Sequence, residues 1–240
     1  LACAQSAAVS VALNDTVVGA HVDRAGDFYF VQSNAYLQKF DKDGQLIASL
    51  QLPRLPEVFD PTNAIRLLVF DRNGRRYTWL SANLELNDWL ALDESFGISP
   101  DLICPSGDHN LWVLDGADQT LRKVDPRKML VLTEFKIEQP LIGITAMREY
   151  LNLLFVQHKS GISVFNALGK NVRQIPGATS LTFMGEELYY TQGQQLVFFN
   201  LYTAAQRQEA ITQLYDFFLL TDERQVTVTA RVAVFQKLQN

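Results

Sequence analysis

Six segments of this chain end in the same way. A strand-like run stops at an apolar residue followed by Asp, Asn or another small polar residue. The six markers are Phe40-Asp41, Leu80-Ser81, Val124-Asp125, Phe165-Asn166, Phe199-Asn200 and Phe235-Gln236, at successive spacings of 40, 44, 41, 34 and 36 residues. A period of this size means one supersecondary unit repeated and stacked on its neighbours, which constrains the fold more than any local pattern. The marker residue has a local reason, because an Asp or Asn side chain accepts from the backbone N–H two residues on and starts a turn. Lys42-Asp43-Gly44, Pro126-Arg127-Lys128 and Leu168-Gly169-Lys170 supply turn-forming residues after three of the markers.

Upstream of each marker lies a second β-rich stretch: 28–31, 66–70, 111–114, 151–156, 187–191 and 225–229. Short turns tolerant of positive φ separate the paired strands, as at Asn73-Gly74, Asp115-Gly116, Lys159-Ser160-Gly161 and Gln192-Gly193-Gln194. Most units add an earlier apolar strand (17–22, 102–104, 142–146, 180–184 and 215–220), and 45–52, 129–137 and 171–175 follow a marker as a later one. Four antiparallel strands in about forty residues make a propeller blade, so the expected fold is all-β, a six-bladed β-propeller. The sixth unit stops at its third strand, 232–236, while an unassigned apolar segment, 7–13, precedes the first unit. Placed as the outer strand of the last blade, that segment closes the ring and removes an open edge. Two places fit less well. Pro61 interrupts the first strand of the second unit, and Thr203 to Gln213, rich in Ala and Gln, is expected as a short helix or an outer strand.

Val22-Asp23-Arg24-Ala25-Gly26-Asp27-Phe28-Tyr29-Phe30-Val31, followed by Leu37-Gln38-Lys39-Phe40-Asp41-Lys42-Asp43-Gly44, resembles the NHL-type propeller repeat. The third unit is similar at Asp108, 111–114, Leu121 and Val124-Asp125. The resemblance implies the propeller fold; the family's usual roles are binding and scaffolding. A minority of its six-bladed relatives are hydrolases, lactonases and lyases, whose metal is held by acidic, Asn or His residues in the central tunnel.

The net charge of −5 and pI near 5.2 argue against a nucleic-acid or anionic-membrane partner, since either needs a basic surface. No apolar run approaches the length of a membrane-spanning helix. At the start, Ala2-Cys3-Ala4 before Gln5 has the small-x-small form of a signal-peptidase site. Residues 1–4 are therefore expected to be a signal-peptide remnant, and 5–240 a single propeller domain. A lipid anchor on Cys3 and an unprocessed cytosolic start are the competing readings. Cleavage would leave Cys104 as the one cysteine, with no internal disulfide.

Catalytic signatures are sparse. There is no Gly-x-Ser-x-Gly elbow, no Ser-x-x-Lys, no His-Glu-x-x-His and no Cys-x-x-Cys. Cys104 and His109 flank one turn, where an imidazole would favour a thiolate; a buried Cys beside a solvent-facing His is the plainer expectation. Candidate tunnel ligands are His21, Asp23, Asp60, Asn63, Asp101 and Asp216, and the oxygens of the Asp and Asn residues together could bind Ca²⁺. Against that, Asp is a common turn residue. Asp41-Lys42-Asp43-Gly44 lacks the distal Glu of a calcium loop and reads as a turn. Arg72, Arg75 and Arg76 around Asn73-Gly74, and Arg127-Lys128, read as solvated hairpin tips. Trp79 and Trp112 fall inside expected strands, whereas Trp89 is the expected exposed aromatic and partner anchor.

The expected function is a non-enzymatic protein-binding or scaffolding propeller of the bacterial cell envelope, with another envelope protein as partner. A metal-dependent hydrolase or lactonase and a carbohydrate-binding module using Trp89 are the alternatives. The expected location is exported: periplasmic, outer-membrane-associated or secreted.

Overall fold

The structure, a computed structural model, describes residues 8–92, 99–107, 109–211 and 215–238. Cys3, the Ala2-Cys3-Ala4 site and Asp108 lie outside the described residues. Among those described, twenty-four strands form six four-stranded antiparallel sheets, and there is no helix. The chain is a six-bladed β-propeller.

β1 (Val9–Ala12) comes first along the chain but belongs to the last blade. The first blade is β2 (Val17–Val22), β3 (Phe28–Gln32), β4 (Tyr36–Phe40) and β5 (Leu46–Gln51). The second is β6 (Val58–Asp60), β7 (Arg66–Asp71), β8 (Arg76–Ser81) and the two-residue β9 (Leu90–Ala91). β10 (Pro100–Pro105), β11 (Leu111–Asp115), β12 (Thr120–Asp125) and β13 (Leu130–Lys136) make the third. The fourth holds β14 (Ala146–Tyr150), β15 (Leu153–His158), β16 (Gly161–Phe165) and β17 (Asn171–Pro176). The fifth holds β18 (Thr182–Met184), β19 (Glu187–Gln192), β20 (Gln195–Asn200) and β21 (Gln206–Ala210). In the sixth, β22 (Phe217–Leu220), β23 (Arg224–Thr229) and β24 (Val232–Lys237) are completed by β1, which pairs antiparallel with β24.

By packing, the described residues fall into two compact units. One holds 8–67, 79–87 and 215–238; the other holds 68–78, 88–92, 99–107 and 109–211. Within each unit the middle strands carry the core. Every residue of β3, β11 and β16 is buried, because a strand in the middle of a blade is covered on both faces and so reads as a continuous apolar run. The outer strand β5 alternates instead, and β21 is exposed throughout. In the first unit Phe28, Phe30 and Phe40 pack against Phe235, with Val226, Val228 and Leu219 beside them. In the second, Phe155, Ile162 and Val164 face Leu188, Tyr190 and Val197.

The recurring marker is a turn device. Asp41 Oδ1 accepts from the N–H groups of Asp43 and Gln45, and Asn166 Oδ1 from those of Leu168 and Lys170. Asp125 Oδ1 takes Arg127 and Lys128, Asn200 Oδ1 takes Tyr202 and Thr203, and the Ser81 hydroxyl takes Asn83 and Glu85. The chain then passes through a left-handed residue: Gly44, Leu84 and Gly169 three positions after the marker, Met129 and Ala204 four after. In the first, third and fourth blades a register shift falls at the residue just before the marker, as in a hairpin closed by a bulge.

Three local expectations change. The first strand of the fourth blade is β14, not 142–146. Leu151 and Asn152 both have positive φ (50° and 60°) and form a two-residue turn joining Tyr150 to Leu153, so the hairpin starts later. The stretch from Thr203 holds no helix: β21 pairs along β20, and that pairing overrides the helical propensity of Ala and Gln; Gln213 lies outside the described residues. In the second blade β6 simply ends at Asp60, so Pro61 lies beyond the ladder where its missing N–H has no consequence.

Candidate functional site

Each of the six residues singled out as tunnel ligands is engaged by neighbouring groups, three of them by backbone N–H groups within their own turns. Asp23 follows β2 and is 6% exposed. Its Oδ1 accepts from Ala25 N (2.8 Å) and Asp27 N (3.0 Å), and its Oδ2 from the Tyr29 hydroxyl (2.8 Å). Asp60 Oδ1 accepts from Thr62 N, and Asn63 Oδ1 from Ile65 N. Asp216 Oδ2 accepts from Ala230 N at 2.7 Å. Asp101 is paired with Arg72, whose Nε lies 3.1 Å from Oδ1 and also donates to the Asp101 carbonyl at 2.9 Å. His21 packs edge-on against Phe59, ring centroids 5.4 Å apart. Among the described residues, no three His, Cys, Asp or Glu side chains gather as a metal site would need.

Two polar clusters escaped the sequence reading. The first crosses the first blade, where strand register places His21, Tyr29 and Lys39 in one row on β2, β3 and β4. Lys39 is almost fully buried; its ammonium binds Asp27 Oδ2 at 2.9 Å and donates to the Ala82 carbonyl at 3.1 Å. Burial, then the bond to Asp23 and the charges of Asp23 and Asp27, hold the Tyr29 hydroxyl far above the usual phenol range, so it stays a donor. The signal was present: Lys39 shares a face with Leu37 in a strand of core positions, and a charge there demands partners.

The second cluster lies in the fourth blade. Ser160 N donates to His158 Nδ1 (3.3 Å), which leaves Nε2–H to donate to Ser163 Oγ (2.9 Å), and Ser163 donates in turn to Gln174 Oε1 (3.0 Å). The imidazole here is a donor to a fully buried serine, the reverse of a base activating a nucleophile. Towards the other end of the same blade, Glu149 on β14 gathers donors from the third blade: Ser106 Oγ, Gly107 N and Trp112 Nε1. These networks rigidify the blades.

The remaining candidates divide by exposure. Cys104 is fully buried in β10 opposite Trp112, while His109 is exposed on the turn at φ 63°. Trp79 and Trp112 are buried; Trp89 is half-buried, with the Arg76 guanidinium 4.7 Å from its ring centroid. Arg76 also pairs with buried Asp71 at 3.1 Å. Arg72 and Arg76 are thus partnered, not merely solvated.

No protein-family model matches the chain. No curated protein matches it in sequence. Solved structures do match. Virginiamycin B lyase from Staphylococcus aureus superposes with a TM-score of 0.56 at 16% identity, over 93% of this chain and 80% of that one. The Pan2 WD40 domain of Neurospora crassa gives 0.61 at 7% identity, over 94% and 90%. The extracellular domain of the BT4673 protein from B. thetaiotaomicron gives 0.57 at 14% identity, over 93% of this chain and 33% of that one. The likeness is one of fold. These neighbours share a propeller and differ in role, as expected of a fold that hosts unrelated functions. Among the described residues no helix is long and apolar enough to cross a membrane.

Proposed function

We propose that the chain is a non-enzymatic binding or scaffolding propeller of the bacterial cell envelope, exported from the cytoplasm and holding another envelope protein. The observation that carries this reading is the engagement of its carboxylates. Asp23 and Asp60 accept from backbone N–H groups of their own turns, Asp216 from Ala230 N in the β23–β24 turn of the same blade, and Asp101 faces Arg72. A carboxylate so held serves its turn or its ion pair, and a rigid blade with closed polar networks presents surface for recognition. The Ala2-Cys3-Ala4 motif supports export, either by cleavage after Ala4 or, as the competing reading, by a lipid anchor on Cys3. Trp89, backed by Arg76, is the aromatic proposed to meet the partner.

Two measurements test the reading. Metal analysis of protein prepared without chelators should find no stoichiometric ion, and EDTA should leave the melting temperature unchanged. Pull-down from envelope extracts should capture a partner that Trp89→Ala loses. A bound Ca²⁺ with an EDTA-sensitive melt would overturn the proposal in favour of a metal-dependent hydrolase or lactonase, to be screened on esters and lactones.

A further inference from the structure

The turns that follow the third strand of the first five blades have an acceptor at the marker and a left-handed residue three or four positions later, whereas the sixth marker, Phe235-Gln236, lies inside β24. They do not need an apolar tip. In the first blade the tip is Lys42-Asp43, both charged and both paired, with Glu223 and Arg224. Three consecutive blades of the second unit depart from that. Met129 ends the turn of the third blade at 51% exposure, Leu168 tips the fourth at 88%, and Tyr202 tips the fifth at 64%. Below Met129 the outer strand continues outward-facing and apolar through Leu130 and Leu132. All three lie in the turn after the third strand of neighbouring blades, Leu168 and Tyr202 two positions after the marker and Met129 four, so they sit at one end of the strands.

The charge around them is basic. Arg127 and Lys128 precede Met129 with side chains 60% and 70% exposed, and Lys170 lies two residues after Leu168. Asp125, buried beneath its turn at 3.5 and 3.8 Å from Arg127 and Lys128, offsets one of their charges, and the next two blades have the uncharged markers Asn166 and Asn200, so the edge keeps a small net positive charge. The exposed carboxylate at this end of the fifth blade, Glu186, sits on its inner hairpin. Exposed apolar and aromatic tips among exposed cations are the chemistry of an interface with anionic lipid. The apolar groups enter the acyl boundary, Tyr sits at headgroup level, and Lys and Arg meet the phosphates.

We propose that these three turns form a docking edge for an anionic phospholipid bilayer, centred on Leu168. The chain's net charge of −5 opposes long-range attraction, so the contact is local and weak, and salt reduces it. The charge argued from the whole sequence excludes a basic protein; it does not exclude a basic edge.

Co-sedimentation with phosphatidylcholine vesicles, with and without phosphatidylglycerol, tests this. The whole chain should bind the anionic vesicles and leave the neutral ones. Leu168→Asp should weaken binding about tenfold, Tyr202→Asp similarly, and Lys128→Gln with Lys170→Gln, which leaves Arg127 on Asp125, should abolish the preference for phosphatidylglycerol. All these side chains are exposed, and unchanged melting curves will show that the variants fold. Ile142→Asp, beside the β15–β16 turn at the other end of the strands, should bind as the parent does. Absence of vesicle binding at low salt would overturn the proposal, as would binding that Leu168→Asp leaves intact. Self-association in the absence of lipid that Leu168→Asp abolishes would give the edge to a second copy and overturn it equally.

Discussion

Tyr29 shows how one hydroxyl can fix a blade. It is fully buried, and its bond to Asp23 Oδ2 satisfies the oxygen that the turn N–H groups leave open. Tyr29→Phe keeps the ring against Phe59 and removes the donor, leaving a buried carboxylate oxygen unsatisfied. The expected loss is roughly 1–3 kcal/mol in urea denaturation, with an unchanged slope; an unchanged midpoint would show that the bond contributes nothing. His158 provides a second test at this scale. Burial lowers its pKa below the ordinary 6.5. The unfolded chain therefore binds the proton first as pH falls, and protonation also forfeits the Ser160 N–H bond to Nδ1. Stability should be full above about pH 6.5 and decline as pH drops through the lower folded value. The carboxylates with depressed pKa, such as Asp15 and Glu223, lose their contribution only at lower pH, so the two windows separate. Melting curves of His158→Gln should be flat where the parent slopes; an equal slope in both would assign the effect elsewhere.

At the scale of the element, the third-strand turn links sequence to blade. The markers were legible because hydrogen-bond chemistry restricts them: Asp, Asn or Ser must start the turn, and an apolar residue must end the strand before it. Its left-handed residue was legible at Gly44 and Gly169 but hidden at Leu84, Met129 and Ala204, where no glycine announces it. The same concealment moved β14, since Leu151 opens its turn with positive φ and reads from sequence as strand. Ala204 gives the test. It is exposed, with φ 60°, a conformation in which its Cβ is strained. Ala204→Gly should raise stability by roughly 0.5–1 kcal/mol, because relief of that strain exceeds the added freedom of the unfolded chain. A destabilised variant in equilibrium denaturation would mean that the Cβ makes a contact worth more than the strain. The candidate site was less legible than the turn. Asp23 and Asp60 have the residue type of ligands and the bonds of turn formers, and sequence shows only the type. Lys39 and Tyr29 were passed over because they meet across register, which no linear spacing reveals.

For the molecule as a whole, the decisive event is completion of the last blade by its first strand. β1 pairs with β24 from Val9↔Phe235 to Ala12↔Val232, and Leu13 N and Val17 N donate to the Arg231 and Ala230 carbonyls. Gly44 of the first blade lies against this seam; a Cβ there would come within 3.2 Å of Phe235 and 3.3 Å of Val11. Lys42–Glu223 and Arg231–Asp15 bridge the same region, but their partners are largely exposed and contribute little. Closure therefore rests on strand pairing and on the Phe235 cluster. A chain lacking residues through Ala12 should leave β24 as an open edge with an alternating apolar face. We expect a lower melting temperature and concentration-dependent association by light scattering. A synthetic peptide of residues 7–13 should reverse both by refilling the edge from outside. If the shortened chain stays monomeric and melts as the parent does, β1 is an ornament of the sixth blade, and the seam is held by the blade faces alone.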